Sequence, residues 1–252
     1  MIKYVMPFER KDGLGMQLFQ VMSTFVYAQM HGLTYVHRPV RHPDADESIG
    51  LGAGELNVKN VKERVKTCSW MNRYAVRWGG VLESLKEKYW SVSRTRYDLG
   101  EKSVAIHVRR GDVRCRMKRR FTSNDTIRTL QRQLSGVGKF HLFSQGNPED
   151  FREFDDTVLH LNEDPLDTFH HLVSADILIM AKSSFSYTAA LLSNGVKIYE
   201  PFFYLPLDDW VIRDTLLTSE QLETLNRRID HGRSTRSRNS PTVGTCTYNE
   251  QH

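Results

Sequence analysis

The chain has 252 residues, of which 39% are hydrophobic and 26% charged, and its formal net charge is +5. This profile is typical of a globular protein with one large or two small domains, and no apolar run approaches the roughly 18–20 residues of a membrane span. The N-terminal apolar stretch is short and interrupted by a charged residue, unlike a secretory signal. The three scattered cysteines (Cys68, Cys115 and Cys246) favour a reducing compartment, so we expect a cytoplasmic protein.

The beginning of the chain predicts a β-α-β unit. Residues 2–6 form a strand, a glycine turn follows at 12–15, and an amphipathic helix leads to a second strand at 33–36. Gly32 provides the helix stop. The apolar face of this helix consists of Leu18, Met22, Phe25, Val26 and Met30.

The next part of the chain has weaker signals. Residues 39–60 are rich in Pro, Gly and Asp and are predicted to be loop. Residues 61–100 have weak helical patterns, with Trp70, Trp78 and Trp90 as expected core or rim aromatics.

From residue 103 onward, strands and helices alternate. Strands are predicted at 104–108, 140–143, 158–161, 177–180 and 196–199. Helices are predicted at 124–134 (with Ser123 or Asn124 as N-cap), 166–173, 183–192 and 219–230. Such alternation predicts a parallel sheet with helices on both faces, whose ligands bind at the carboxyl ends of the strands.

These patterns together predict an α/β protein built from two small Rossmann-like domains. The N-terminal domain is expected at residues 1–100 and the C-terminal domain at 101–231. Residues 232–252 are rich in Ser, Thr, Arg and Pro, so we expect a flexible basic tail there.

The strongest chemical signal is the sequence His107-Val108-Arg109-Arg110-Gly111-Asp112 at the end of a buried strand. A sheet can hold both arginines toward one site, where guanidinium groups bind phosphate oxygens in a bidentate manner and remain charged when desolvated. The alternative is an exposed turn with incidental arginines.

Two further signals lie at other strand ends. Ser183-Ser184-Phe185-Ser186 begins a predicted helix, where free N–H groups and the helix dipole favour an anion, although an ordinary serine N-cap has the same pattern. Gly13 and Gly15 lie in the first strand-to-helix turn, where glycine lets a ligand approach the backbone. Ser144 also lies at the carboxyl end of a strand.

In this order, the three motifs resemble those of the α1,2-fucosyltransferases and the related protein O-fucosyltransferases. The resembling stretches are Gly13-Leu14-Gly15-Met16-Gln17, His107 to Asp112, and Ser183 to Ser186 followed by Ala189-Ala190-Leu191. The resemblance covers about residues 8–200. Two positions depart from the family pattern, since Met16 replaces the expected Asn and Tyr187-Thr188 replaces a common aromatic pair.

The resemblance implies an inverting, metal-independent glycosyltransferase of the GT-B type. Its donor is expected to be GDP-fucose, with a UDP-sugar such as UDP-xylose as the alternative, and its acceptor a glycan hydroxyl. Arg109 is expected to bind the donor diphosphate, supported by Arg110 and His107. Asp112 and Asp12 are the candidate catalytic bases. The nucleotide-binding set is expected to comprise Gly13, Gly15, His107, Arg110, Ser144, Ser183, Ser184, Phe185 and Ser186.

Other functions remain open at this point. Asp44-Ala45-Asp46 has the Asp-x-Asp spacing of metal-dependent transferases but follows no apolar strand, so no metal is expected. The basic run 109–120 and the C-terminal end from Arg227, which alone carries a net charge of +3, are compatible with nucleic-acid binding. The run has no aromatic residue for base stacking, so no nucleic-acid partner is expected. A glycan-binding protein without catalysis is the third alternative.

Overall fold

The structure is a computed structural model that describes residues 3–52, 55–57, 59, 61, 65–68, 78–91, 97–100, 102–117 and 119–238. The described residues form an α/β fold with two parallel sheets. This confirms the predicted fold class.

The smaller sheet is formed by the N-terminal part of the chain. Its strands are β1 (Tyr4–Pro7), β2 (Thr34–His37), β3 (Leu56–Asn57) and β4 (Val65–Cys68). They are all parallel and lie in the order β3-β2-β1-β4. Helix α1 (Leu14–Met30) connects β1 to β2 and buries Leu18, Met22, Phe25 and Val26, as its periodicity predicts. Met30, which was predicted on the same face, is exposed at the last position of the helix. The predicted β-α-β unit is therefore confirmed.

Three short elements were not predicted within the loop at 39–60 and the weakly helical stretch at 61–100, whose helical signal is confirmed at residues 81–90. Helix α2 (Ala45–Ile49) and strands β3 and β4 lie in this region, before helix α3 (Val81–Trp90). Strands of two and four residues are too short to give a periodic pattern. Trp78 is buried and Trp90 half-buried, as expected, whereas Trp70 lies outside the described residues.

The larger sheet contains six parallel strands. In chain order its elements are β5 (Ser103–Val108), α4 (Asn124–Gln133), β6 (Lys139–Ser144), β7 (Thr157–Leu161), α5 (Pro165–Ser174), β8 (Ile177–Ile179), α6 (Ser184–Leu192), β9 (Val196–Tyr199), β10 (Val211–Ile212) and α7 (Ser219–Arg238). The spatial order β10-β9-β8-β5-β6-β7 is the Rossmann order. The chain reverses its direction of progress between β5 and β8, which is where ligands of such sheets bind.

Helices join the two sheets through one continuous apolar core. Helix α1 packs against α6, which also packs against α3 and α5. Val5 and Leu18 from the N-terminal part belong to the same buried cluster as Phe169 and Leu191. On the other face of the larger sheet, α4 and α7 cover a second cluster. The packing of α1 on α6 therefore brings the glycine turn before α1 close to the beginning of α6.

The C-terminal boundary differs from the expectation. Helix α7 does not end near residue 230 but continues to Arg238, because no proline interrupts the sequence before Pro241. Residues 232–238 of the expected tail are therefore helical. The remaining residues, 239–252, lie outside the described part of the chain.

Candidate functional site

A cleft of about 570 Å³ lies where the carboxyl ends of β5 and β6 meet the segments that precede α1 and α6. Every predicted site residue except Ser186 lines it: Asp12, Gly13, Gly15, His107, Arg109, Arg110, Asp112, Ser144, Ser183, Ser184 and Phe185. The charged residues of the lining are five cations (Arg10, Arg109, Arg110, Arg120 and Lys182) and three carboxylates (Asp12, Asp112 and Glu163). The fold thus brings three distant sequence motifs to one cleft with an excess of positive charge.

Arg109 follows β5 directly and is held by Asp112. Its Nε donates to one carboxylate oxygen at 3.2 Å and its Nη2 to the other at 2.6 Å. This bidentate contact fixes the plane of the guanidinium, which remains partly exposed in the cleft. The same contact lowers the pKa of Asp112. Asp112 therefore orients Arg109, and its carboxylate stays ionised at neutral pH.

Arg110 has a different environment from Arg109. Its guanidinium donates to the carbonyls of Arg109 and Thr122, both at 3.0 Å, and to Oδ1 of Asn124 at 2.6 Å. It also lies over the ring of Phe121, 4.3 Å from the centroid. Burial lowers its pKa, although the group remains a cation. Arg110 thus anchors the segment at 121–124 and contributes positive potential to the cleft, while its donors are largely used within the protein.

His107 is neutral in this structure. Burial, together with the nearby charge of Arg109, lowers its pKa to about 3. Its ring packs against Phe185 with centroids 5.4 Å apart, and its buried Nδ1 has no partner among the described residues. His107 therefore offers the cleft a neutral imidazole and adds no charge at physiological pH.

The serine motif forms the beginning of α6. Ser183 is the N-cap, and its Oγ accepts from the backbone N–H of Phe185 at 3.2 Å. The other N–H groups of the first turn have no intrahelical acceptor and create positive potential at this end of the helix. Ser186 was predicted in the nucleotide-binding set, but it does not line the cleft. Its buried hydroxyl donates instead to the carbonyl of Ala181.

The two glycines of the first turn have different roles. A Cβ at Gly13 would meet no atom within 4 Å, so this residue borders open space in the cleft. A Cβ at Gly15 would lie 2.4 Å from both the Cα and the N of Phe185. Gly15 therefore allows α1 to approach α6, a packing role that the sequence did not indicate, and it also lies in the cleft lining.

The residues around these glycines hold the turn in place. Gln17 donates to the carbonyl of Asp12 and accepts from the backbone N–H of Arg41, both at 2.7 Å. The sulfur of Met16 lies 2.9 Å from the hydroxyl of Ser184, which in turn lies 2.7 Å from the hydroxyl of Tyr204. Met16 therefore ties the turn to the beginning of α6.

The departure at Tyr187 lies in the core. Tyr187 is buried, donates from its hydroxyl to the carbonyl of Leu205 and stacks on Tyr204 with centroids 4.5 Å apart. This departure from the family pattern therefore does not alter the cleft lining.

Asp12, the other candidate base, is paired with Arg10. The guanidinium makes contacts of 2.5–3.1 Å with both carboxylate oxygens, and these hydrogen bonds lower the pKa of Asp12. Glu163 receives a hydrogen bond from His160, since Nδ1 and Oε1 are 2.8 Å apart. Each of the three cleft carboxylates is thus bound to a basic side chain.

Ser144 and several residues outside the prediction also line the cleft. The hydroxyl of Ser144 donates to the carbonyl of Val108 at 2.8 Å and so joins the ends of β5 and β6. Lys182 is paired with Glu200 at 2.8 Å. The lining residues absent from the prediction include Arg120, Lys182, Phe202 and Phe203. Lys182 directly precedes the serine motif and the two phenylalanines follow β9, so the rule of carboxyl strand ends could have found them.

The Asp-x-Asp pair lies in α2 and outside the cleft lining. Asp44 is the N-cap of α2, and Oδ1 of Asp46 lies 3.1 Å from Nε2 of His37. Within the described part of the chain, no cluster of three or more His, Cys, Asp or Glu side chains has an arrangement that could bind a metal. In the same residues, no helix is both long and apolar enough to cross a membrane.

Comparisons with known proteins give only distant structural likenesses. No family model and no curated protein matches the sequence. The NodZ α-1,6-fucosyltransferase soaked with GDP-fucose is 14% identical, with 77% of this chain and 93% of that chain covered and a TM-score of 0.44. A mutant of Arabidopsis thaliana FUT1 in complex with GDP is 15% identical, with coverages of 84% and 72% and a TM-score of 0.46. The E. coli heptosyltransferase WaaC is 11% identical, with coverages of 95% and 100% and a TM-score of 0.42. At these identities, the likeness carries no conclusion about activity or substrate.

Proposed function

We propose that this chain is an inverting, metal-independent glycosyltransferase that transfers a sugar from a nucleotide diphosphate to a glycan hydroxyl. The observation that supports the proposal is the single cleft that gathers Arg109, the beginning of α6 and the turn at Gly13. It lies beside the point where strand order reverses in a Rossmann-type sheet, the usual ligand site of such folds. Residues 101–231 would bind the donor, and residues 1–100 would shape the acceptor side.

The chemistry follows from where charge develops. As the bond to the anomeric carbon breaks, negative charge builds on the leaving diphosphate. Arg109, already oriented by Asp112, and the N-terminus of α6 are fixed before the reaction, so they stabilise this charge more in the transition state than in the ground state. In this proposal their positive potential replaces a metal ion.

The acceptor hydroxyl must lose its proton to a cleft carboxylate. Asp112 and Asp12 are the proposed bases, and both have a lowered pKa because arginines bind them. Both carboxylates are therefore ionised and able to accept a proton, and releasing the arginine would raise their pKa toward the working pH, where a general base is most effective. Each would have to share its carboxylate between the acceptor and its arginine.

We expect GDP-fucose to be the donor, with UDP-xylose as the alternative. The proposed reaction takes place in the cytoplasm. The test is a calorimetric titration with a panel of sugar nucleotides, followed by assays of donor hydrolysis. We expect GDP-fucose to bind and to be slowly hydrolysed to GDP. Tighter binding of UDP-xylose than of GDP-fucose would identify UDP-xylose as the donor. Binding of sugar nucleotides without any turnover in the presence of glycans would indicate a glycan-binding protein without catalysis. Absence of binding by every sugar nucleotide would contradict the proposal.

A further inference from the structure

A basic segment of the chain connects two residues of the cleft lining and contains none of the site residues described above. The basic rim is defined here as residues 113–117 and 119, which lie in the chain between two residues of the cleft lining, Asp112 and Arg120. The rim contains three arginines, Arg114, Arg116 and Arg119, and no Asp or Glu. The rim is therefore a concentrated positive charge beside the proposed reaction site.

The backbone of the rim is ordered by turns. Val113 is buried and anchors its beginning. The backbone N–H of Met117 donates to the carbonyl of Arg114, and those of Arg120 and Phe121 donate to the carbonyl of Met117, at 2.8–3.0 Å. The cations are thus presented on a defined turn structure.

The arginine side chains of the rim carry charges that no described carboxylate neutralises. Arg114, Arg116 and Arg119 are exposed, and within the described residues none has an ion pair or a hydrogen bond from its guanidinium. The cleft arginines Arg109 and Arg10 are, by contrast, bound to carboxylates. Arginines that are free of partners and close together in the chain are suited to binding anionic groups.

The donor does not account for this charge. The diphosphate of a sugar nucleotide carries two negative charges, and the cleft lining has five cations against three carboxylates, so the lining alone matches it. The cations of the rim are additional. The other molecule that must enter the cleft in the proposed reaction is the acceptor, whose hydroxyl must reach the anomeric carbon.

We propose that the basic rim binds an anionic acceptor, a carbohydrate that carries carboxylate, sulfate or phosphate groups. This inference rests on the proposed transferase function. A glycan fits better than a nucleic acid because residues 113–119 include no aromatic side chain for base stacking.

The test compares two triple variants of the full chain with the donor site filled by GDP. The rim variant is Arg114→Ala, Arg116→Ala and Arg119→Ala. The control is Arg128→Ala, Arg132→Ala and Lys139→Ala, which removes the same charge from α4 and the beginning of β6, away from the cleft lining. The probes are a heparin octasaccharide, a neutral dextran oligosaccharide of similar length and a single-stranded oligonucleotide of matched charge.

We expect the heparin probe to bind the wild type more tightly than dextran does, with an affinity that falls as salt is raised. The rim variant should lose on the order of 10-fold in affinity, because each exposed ion pair contributes little by itself, and the control variant should bind like the wild type. Equal binding by the rim variant and the wild type would overturn the inference. So would oligonucleotide binding as tight as that of heparin and equally sensitive to the rim variant, which would favour nucleic acid.

GDP titrations of the same proteins separate the two proposals. If the wild type binds GDP but the rim variant binds heparin normally, only the acceptor inference fails. If the wild type binds neither GDP nor any sugar nucleotide, the transferase proposal itself fails.

Discussion

Gly15 gives the sharpest test of how the first turn works, because the sequence and the structure assign it different roles. If Gly15 allows a ligand to approach, alanine should weaken donor binding and leave the fold intact. If it allows α1 to pack on α6, alanine should destabilise the fold. A Cβ at this position would lie 2.4 Å from two backbone atoms of Phe185, which cannot rotate away as a flexible side chain would.

The expected magnitude comes from two opposing effects. Alanine in a helix gains up to about 1 kcal/mol over glycine, whereas overpacking a core contact typically costs about 1–3 kcal/mol. Since the clash is with backbone atoms, we expect a cost at the upper end and a net loss of about 1–2 kcal/mol in the free energy of unfolding. A loss of this size lowers Tm by about 2–8 °C in a chain of this length.

The assay is urea unfolding and thermal melting of Gly15→Ala, with Gly13→Ser as the matched control. Gly13 is the N-cap of α1 with open space around its Cβ position, and serine is a favoured N-cap residue. The control should be as stable as the wild type or more so. If Gly15→Ala has wild-type or higher stability, the packing role is wrong and helix propensity dominates.

Three further predictions concern the cleft. Activity in excess EDTA should equal activity with Mg²⁺ or Mn²⁺, and a loss restored by Mn²⁺ would redirect attention to Asp44 and Asp46. Because the pKa of His107 is lowered to about 3, its native state binds fewer protons than the unfolded state below about pH 6.5. The neutral imidazole of His107 therefore contributes its full stability above that pH, and this contribution is lost on acidification. The Tm of His107→Gln should fall less than that of the wild type between about pH 6.5 and 4. Parallel plots of Tm against pH for the two proteins would contradict this. Ser186→Ala should cost about 1 kcal/mol of stability through the lost bond to Ala181 yet leave donor affinity unchanged in calorimetry, and a weaker donor affinity would place Ser186 in the site after all.

Several parts of the fold follow from local sequence patterns. Strand β5 is a buried apolar run, so its end could be located, and with it His107 and Arg109. Ser183 was predictable at the beginning of α6, because serine N-caps and apolar helices leave a clear signature. Parallel topology then places these strand ends at one edge of the sheet. Local pattern and general topology are sufficient to predict the part of the cleft that the strand ends of the larger sheet form.

The remaining features depend on contacts between distant residues. The packing constraint on Gly15 comes from Phe185, and the positions that anchor Arg110 include Thr122 and Asn124. The sequence shows two adjacent arginines but not that one faces the cleft while the other holds a neighbouring segment. Strand β10 has only two residues and gives no periodic signal. Such features depend on which side chains meet after folding.

The central claim is that Arg109 binds the donor diphosphate, and the most direct measurement is calorimetric titration of GDP and of the preferred donor into Arg109→Lys. Arg132→Ala, which removes an exposed cation of α4, serves as the charge control, and thermal melts establish that both variants fold. A lysine is a point charge and cannot reproduce the planar guanidinium that Asp112 orients. We predict that Arg109→Lys loses at least about 10-fold in affinity and about 10²–10³ in turnover, while Arg132→Ala matches the wild type. Normal donor binding by Arg109→Lys, or an equal loss in Arg132→Ala, would contradict the account.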